Sequence, residues 1–185
     1  MQPQPLPEGC DNRHAVFQHA LFTKEECLEL RAMAVGKYEL ATILSGYSQV
    51  VNTNVRNNTR CMIDDPDKAQ WLFERVRHLL PGEPVRMNER LRFLKYKKGE
   101  YFKPHQDIPF CKDDLVTRVT VQIYLNQDCE GGETTFIDPY PPHGTTSFTP
   151  RTGSVLVFDH ELLHEGSTVT KGLKFVLRVD VFYTY

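Results

Sequence analysis

The stretch "RVTVQIYLN", residues 118–126, decides the fold class. Val119, Val121, Ile123 and Leu125 are apolar, and Thr120, Gln122 and Tyr124 between them are polar or amphipathic. A period of two puts the two sets on opposite faces of a β-strand. "KFVLRVDVFY", residues 174–183, repeats the pattern: Phe175, Leu177, Val179 and Val181 stand opposite Lys174, Val176, Arg178 and Asp180. "LRFLKY" (91–96) and "SVLVFDH" (154–160) are also strand-like, and segments rich in Gly, Pro and Asp separate these runs. A sheet with one solvated face produces such alternation. So does a barrel in which helices cover the odd face and the even residues line a polar concavity.

Helices precede these strands. In "TKEECLELRAMAVGK", Thr23 and Glu26 form a capping box ahead of apolar residues at helical spacing. In "DPDKAQWLFERVRHLLPGE", Asp65 is a candidate cap, Pro66 suits the first turn and Pro81-Gly82 is a stop. Ala69, Leu72, Phe73, Val76, Leu79 and Leu80 make its buried stripe. The intervening "LSGYSQVVNTNVRNNTR" is polar and reads as short strands with a mobile loop. Helices followed by strands, without βαβ alternation, predict a mainly β fold buttressed by N-terminal helices. The expected layout is a flexible lead-in over about 1–12 and one domain over about 13–185, with a helical buttress at about 20–82 and a core barrel at about 90–183.

A chain of 185 residues can bury a core without disulfides or a structural metal. With 22 basic and 24 acidic residues it is slightly acidic, which argues against broad electrostatic binding of nucleic acid. The five cysteines are odd in number and include no CxxC pair, which suits a reducing compartment. "MQPQPLPEGC" lacks the basic and apolar regions of a secretory signal, and no apolar run is long enough to span a membrane. The expectation is an intracellular protein of the cytoplasm, with the nucleus left open.

In "KYKKGEYFKPHQDIPF", residues 95–110, His105 and Asp107 share parity, so on a strand both would point to one face. A third nitrogen ligand would complete the two-histidine, one-carboxylate triad that leaves open positions on Fe(II). "VFDHELLHEGS" offers His160 and His164. His164 is preferred because it follows the strand and precedes Lys174 by ten residues. A helical HxxxH zinc site is disfavoured by the strand-like "SVLVF" beside it. His14, His19, His78 and His143 read as surface or packing residues, and Gly131-Gly132 as a tight turn.

HxD alone is a weak signal. The series is stronger: HxD, a strand carrying Tyr124, "GGETTF", a downstream histidine, then a basic residue on a strand. With "RFLKYKKGEYFKPHQD", "TVQIYLNQDCEGGETTFI" and "TPRTGSVLVFDHELLHEGSTVTKGLKFVLRVDVFY", the chain resembles the iron- and 2-oxoglutarate-dependent dioxygenases of the prolyl 4-hydroxylase type. The resemblance implies a double-stranded β-helix, or jelly-roll, barrel with iron at its mouth. It implies His105, Asp107 and His164 as iron ligands, Lys174 and Tyr124 on the distal carboxylate of 2-oxoglutarate, and Tyr96 as a pocket tyrosine. A buried anion needs a cation and a hydroxyl donor, and Lys174 and Tyr124 are both even-face residues. Arg178 is a second even-face cation, able to take the carboxylate in place of Lys174 or to pair with Asp180. Arg56, Arg60 and Arg92 are candidates to face substrate, with a surface or structural role as the competing reading.

The implied reaction uses Fe(II), 2-oxoglutarate and O2, with ascorbate as a reductant, to hydroxylate an unactivated C–H bond and release succinate and CO2. A prolyl residue of a protein or peptide is the first substrate expectation, and a free amino acid or other small molecule the second. A non-catalytic metal-binding or sensor barrel is the reading from another class. No nucleic-acid or membrane partner is expected, and the oligomeric state is not read from the chain.

Overall fold

Local sequence sets both helices. The first, α1 (Lys24–Met33), starts at the capping box: the Thr23 hydroxyl accepts the Glu26 amide at 3.1 Å, and the Glu26 carboxylate accepts the Thr23 amide at 2.8 Å. Two amides that a helix start leaves orphaned are thereby satisfied. Asp65 caps the second, α2 (Pro66–Val76), by accepting the Lys68 amide at 2.8 Å. α2 ends sooner than its apolar stripe suggests. Arg77–Leu79 tighten into a 3-10 turn and Leu80 is extended (φ −83°, ψ 137°), leaving Leu79 and Leu80 only partly buried. Pro81 is the cause, since its ring crowds a helical residue before it.

The computed structural model describes residues 13–140 and 144–185; the expected flexible lead-in and His143 lie outside the described residues. The fold is a jelly roll, with 47% of the described residues in strands and 14% in helices. The larger sheet runs, in spatial order, through Ala15–Gln18, Val155–Asp159, Leu115–Tyr124, Val169–Thr184, Arg90–Lys97, Thr59–Asp64 and Glu39–Leu40, with every pair antiparallel. The smaller sheet orders Thr145–Phe148, Thr134–Ile137, His164–Gly166 and Phe102–His105. Ile43–Ser45 and Ser48–Val50 form a separate hairpin within the segment expected to hold short strands.

The odd residues of the two long strands, Val119, Val121, Ile123, Leu177, Val179 and Val181, pack with Cys27, Leu30, Leu72, Phe73 and Val76 of the helices. The even face turns inward toward the smaller sheet. There Leu94, Tyr96, Tyr124, Leu156, Phe158 and Val176 meet Phe136 and Phe148 in a second apolar cluster. The two faces therefore have different covers, helices on one side and a sheet on the other, and the even-face polar groups are enclosed rather than solvated. Among the described residues, no helix is long and apolar enough to cross a membrane.

Gly153 ties the N-terminal segment to the sheet. Its carbonyl accepts the Phe22 amide at 3.0 Å and its own amide donates to Tyr124 at 2.9 Å. Its φ is +77°, and an added Cβ would stand 1.9 Å from the Phe22 carbonyl oxygen. Gly153→Ala should cost about 1–3 kcal/mol in backbone strain, before the collision with Phe22 is counted. A urea midpoint equal to that of the parent protein would contradict this account.

Candidate active site

His105 ends the Phe102–His105 strand and His164 begins the His164–Gly166 strand, and the two are direct cross-strand partners. Their rings stand 4.4 Å apart, centroid to centroid. Asp107 does not share the strand with His105, contrary to the parity reading: the strand stops at His105. Asp107 is steered instead by its backbone, whose amide donates to the His160 carbonyl at 3.0 Å. The outcome is still convergent. One ligand atom from each of His105, Asp107 and His164 lies within 4.8 Å of the others.

The supporting contacts suit a metal. His105 Nδ1 is 2.8 Å from the Lys103 carbonyl and His164 Nδ1 is 2.9 Å from the Leu162 carbonyl. A carbonyl only accepts, so each Nδ1 carries the proton and each Nε2 keeps a free lone pair. Burial, and then the neighbouring His164, pushes His105 down to about 3, and burial lowers His164 as well, so both rings are neutral. Burial opposes the Asp107 charge, but the Arg178 guanidinium above all outweighs it and holds the carboxyl below its usual range. Thr120 donates to Asp107 Oδ2 at 2.6 Å, and Arg178 lies 3.0 Å from Oδ1.

His160 stands apart from this cluster. Its Nε2 is 3.7 Å from Asp180 Oδ1, and neither buried ring nitrogen has a hydrogen-bond partner among the described residues. His160–His164, "HELLH", spells the HExxH string of helical zinc sites. Here it is a turn running into a strand, so its two histidines do not share a helix face.

An inner cavity opens from the triad into the barrel, lined by His105, Asp107, His164, Tyr96, Gln122, Thr134, Lys174 and Arg178 among others. Lys174 is 2% exposed, and its ammonium lies 4.9 Å from the Tyr96 ring centroid and 5.8 Å from that of Tyr124. It makes no ion pair within 4.0 Å among the described residues, and burial pulls it down to about 8. Gly132, read from sequence as a turn residue, is also a spacer: an added Cβ would come within 3.1 Å of the Lys174 side chain.

Tyr124 does not line this cavity directly. Its hydroxyl donates to Thr134 Oγ1 at 2.8 Å, and Gln122 Nε2 donates to the same oxygen at 2.6 Å. Thr134 accepts twice and so directs its own proton elsewhere. The position of Thr134 was not legible in "GGETTF", since only the fold brings it onto the cavity wall with Lys174 and against Tyr124.

Arg178, the other inward cation, is committed. It bonds Asp180 Oδ1 at 3.0 Å as well as Asp107. Arg92 bonds Asp180 Oδ2 at 2.7 Å. Arg56 is buried, bonds Asn58 Oδ1 at 2.7 Å and stacks 4.4 Å over Phe102. Arg60 donates to the Thr42 hydroxyl at 2.9 Å. Arg56, Arg60, Arg92 and Arg178 all border an outer cleft of about 320 Å³ that also reaches His105 and Asp107.

Comparison with known proteins gives a consistent picture. The family model for the 2OG-Fe(II) oxygenase superfamily matches residues 91–179. Probable prolyl 4-hydroxylase 10 of Arabidopsis thaliana is 28% identical, with 86% of this chain covered, and the match spans 65% of that relative's length. A prolyl-4-hydroxylase structure from Pseudomonas putida superposes with a TM-score of 0.69 at 16% identity, covering 95% of each chain. A prolyl hydroxylase from Trichoplax adhaerens, solved with a hypoxia inducible factor peptide fragment, gives a TM-score of 0.70 at 15% identity, covering 94% of this chain and 85% of the other. The jelly roll, the HxD and His series and the matched segment agree, and together they support a 2OG-Fe(II) oxygenase domain of the prolyl 4-hydroxylase type.

Proposed function

We propose that this protein is a 2-oxoglutarate-dependent hydroxylase whose substrate is a prolyl residue in a protein or peptide. The observation that carries the reading is one cavity bordered both by three converging ligand atoms and by a buried lysine that has no acidic partner among the described residues. Ferrous iron, bound with 2-oxoglutarate, supplies the oxygen-activating chemistry that yields succinate, CO2 and a hydroxylated carbon.

The chain's own residues have separable tasks. His105 and His164 present Nε2 and Asp107 presents a carboxylate oxygen, while Lys103, Leu162 and Thr120 fix their orientations. Lys174 receives the distal carboxylate of 2-oxoglutarate, and Thr134, backed by Tyr124 and Gln122, donates the accompanying hydroxyl. Tyr96 and Phe158 close the cavity wall against water. The hairpin bearing Ile43, Leu44 and Gln49 borders the outer cleft and acts as a lid over substrate. The peptide carried by the Trichoplax structural neighbour supports a peptide substrate.

Thr120→Val removes a donor from Asp107 without changing shape, so metal affinity should fall by about 10–100-fold; titration with Mn2+ measures it. The function itself is tested by succinate formation that depends on Fe(II) and 2-oxoglutarate, with and without ascorbate. A mass-spectrometric search for a gain of one oxygen atom in peptides and free amino acids would accompany it. Succinate absent under every condition would favour the non-catalytic metal-binding barrel. Oxygen gained only by free amino acids would replace the peptide with a small molecule.

A further inference from the structure

The outer cleft carries positive charge that the metal site and its cosubstrate do not use. Four arginines, Arg56, Arg60, Arg92 and Arg178, face two carboxylates, Asp107 and Asp180. Both acids are already engaged, Asp180 by Arg92 and Arg178 and Asp107 by Arg178. Arg56 and Arg60 make no ion pair among the described residues, and their hydrogen bonds go to neutral groups, Asn58 and Tyr96 for Arg56 and Thr42 for Arg60. Glu39, the cross-strand partner of Arg60, does not pair with it either. A divalent ion and doubly charged 2-oxoglutarate cancel each other, so loading the site leaves the excess of two positive charges in place.

That excess is unfavourable in the free protein. Burial, and then the fields of Arg56 and Arg92, push Arg60 down to about 10. An anion entering the cleft would relieve the repulsion and gain a guanidinium fork matched to a carboxylate. Position favours Arg60 for this contact. With Thr42, Gln49 and Arg92 it borders both the outer cleft and an adjoining groove of about 550 Å³, so it flanks the route from the groove to the triad.

We infer that the protein selects a substrate bearing a carboxylate close to the reacting carbon, and that Arg60, with Arg56 beside it, receives that carboxylate. It belongs either to an acidic side chain flanking the target residue of a peptide or to a small free acid. The inference rests on the hydroxylase reading above, and the test separates the two.

Protein loaded with Zn2+, which does not react with oxygen, and 2-oxoglutarate is titrated with fluorescein-labelled proline-centred heptapeptides. The peptides differ only by Glu or Gln beside the proline. L-proline and L-prolinamide form a second pair, measured by calorimetry. The acid of at least one pair should bind about 10- to 100-fold more tightly than its amide, and the pair that shows the preference identifies the source of the carboxylate. Arg60→Glu should abolish the preference and Arg60→Lys should restore part of it. Arg60→Gln, which can still bond Thr42, guards against misfolding of the charge reversal. If no acid exceeds its amide while the Fe(II)-loaded protein forms succinate, this inference alone is overturned. If no succinate forms at all, the hydroxylase reading falls and takes the inference with it.

Discussion

Lys174→Met should give a protein that unfolds at a higher temperature and has lost most of its affinity for 2-oxoglutarate. Both effects have one cause. Lys174 is 2% exposed, has no ion-pair partner among the described residues and is drawn from an ordinary 10.5 to about 8 by burial. At about 1.4 kcal/mol per pH unit, keeping it charged at neutral pH costs the free protein about 3 kcal/mol. Methionine has a similar length and an apolar end, so it fills the space beside Gly132 without that penalty. An incoming carboxylate would turn the penalty into a buried ion pair, and removing one partner of such a pair costs about 3–5 kcal/mol, or roughly 150- to 5,000-fold in affinity.

The pH dependence follows from the sign of the shift. Because the folded value lies below the unfolded one, the unfolded chain holds more protons between about 8 and about 10.5. Stability should therefore rise with pH through that window and gain nothing from this group below it. Cosubstrate binding requires the ammonium form, so affinity should be greatest below pH of about 8 and decline above it. Lys174→Met should flatten both profiles. Calorimetric titration with 2-oxoglutarate and thermal melts at two pH values measure all of this. If Lys174→Met kept its affinity while Arg178→Met lost it, the carboxylate would belong to Arg178.

His164→Ala should lose metal affinity by more than the roughly 10–100-fold that an outer partner contributes, whereas His160→Ala should bind metal nearly as the parent does. The two histidines are four residues apart, and only His164 faces His105 across the smaller sheet, as its place after the strand suggests. His160 contributes its carbonyl to the Asp107 amide, and alanine preserves that contact. Mn2+ titration of folded protein, verified by circular dichroism, separates the pair. Metal retained by His164→Ala and lost by His160→Ala would reverse the assignment.

The large sheet was legible because its strands are long enough for alternation to show. Lys174, Arg178, Thr120 and Gln122 fall on the inward face by parity alone, and the capping residues Thr23 and Asp65 start the helices where the structure has them. The smaller sheet was harder. Phe102–His105, Thr134–Ile137 and His164–Gly166 are three or four residues each, too short to display a period. Asp107 was placed on a strand that has already ended, because parity arguments do not register where pairing stops. The partners of the inward polar groups were also out of reach. Thr120 meeting Asp107, and Arg92 meeting Asp180 across 88 positions, are consequences of register between distant segments.

The Val169–Thr184 strand pairs with Leu115–Tyr124 along one edge and with Arg90–Lys97 and Arg86–Met87 along the other. Lys174 and Arg178 are thus mounted on a girder pinned from both sides, and the spacing between them is a fixed dimension of the barrel. Ligands must accommodate to that ruler, because the ruler does not bend to them. The two-stranded flap around Tyr47, which pairs with neither sheet, has no such girder beneath it.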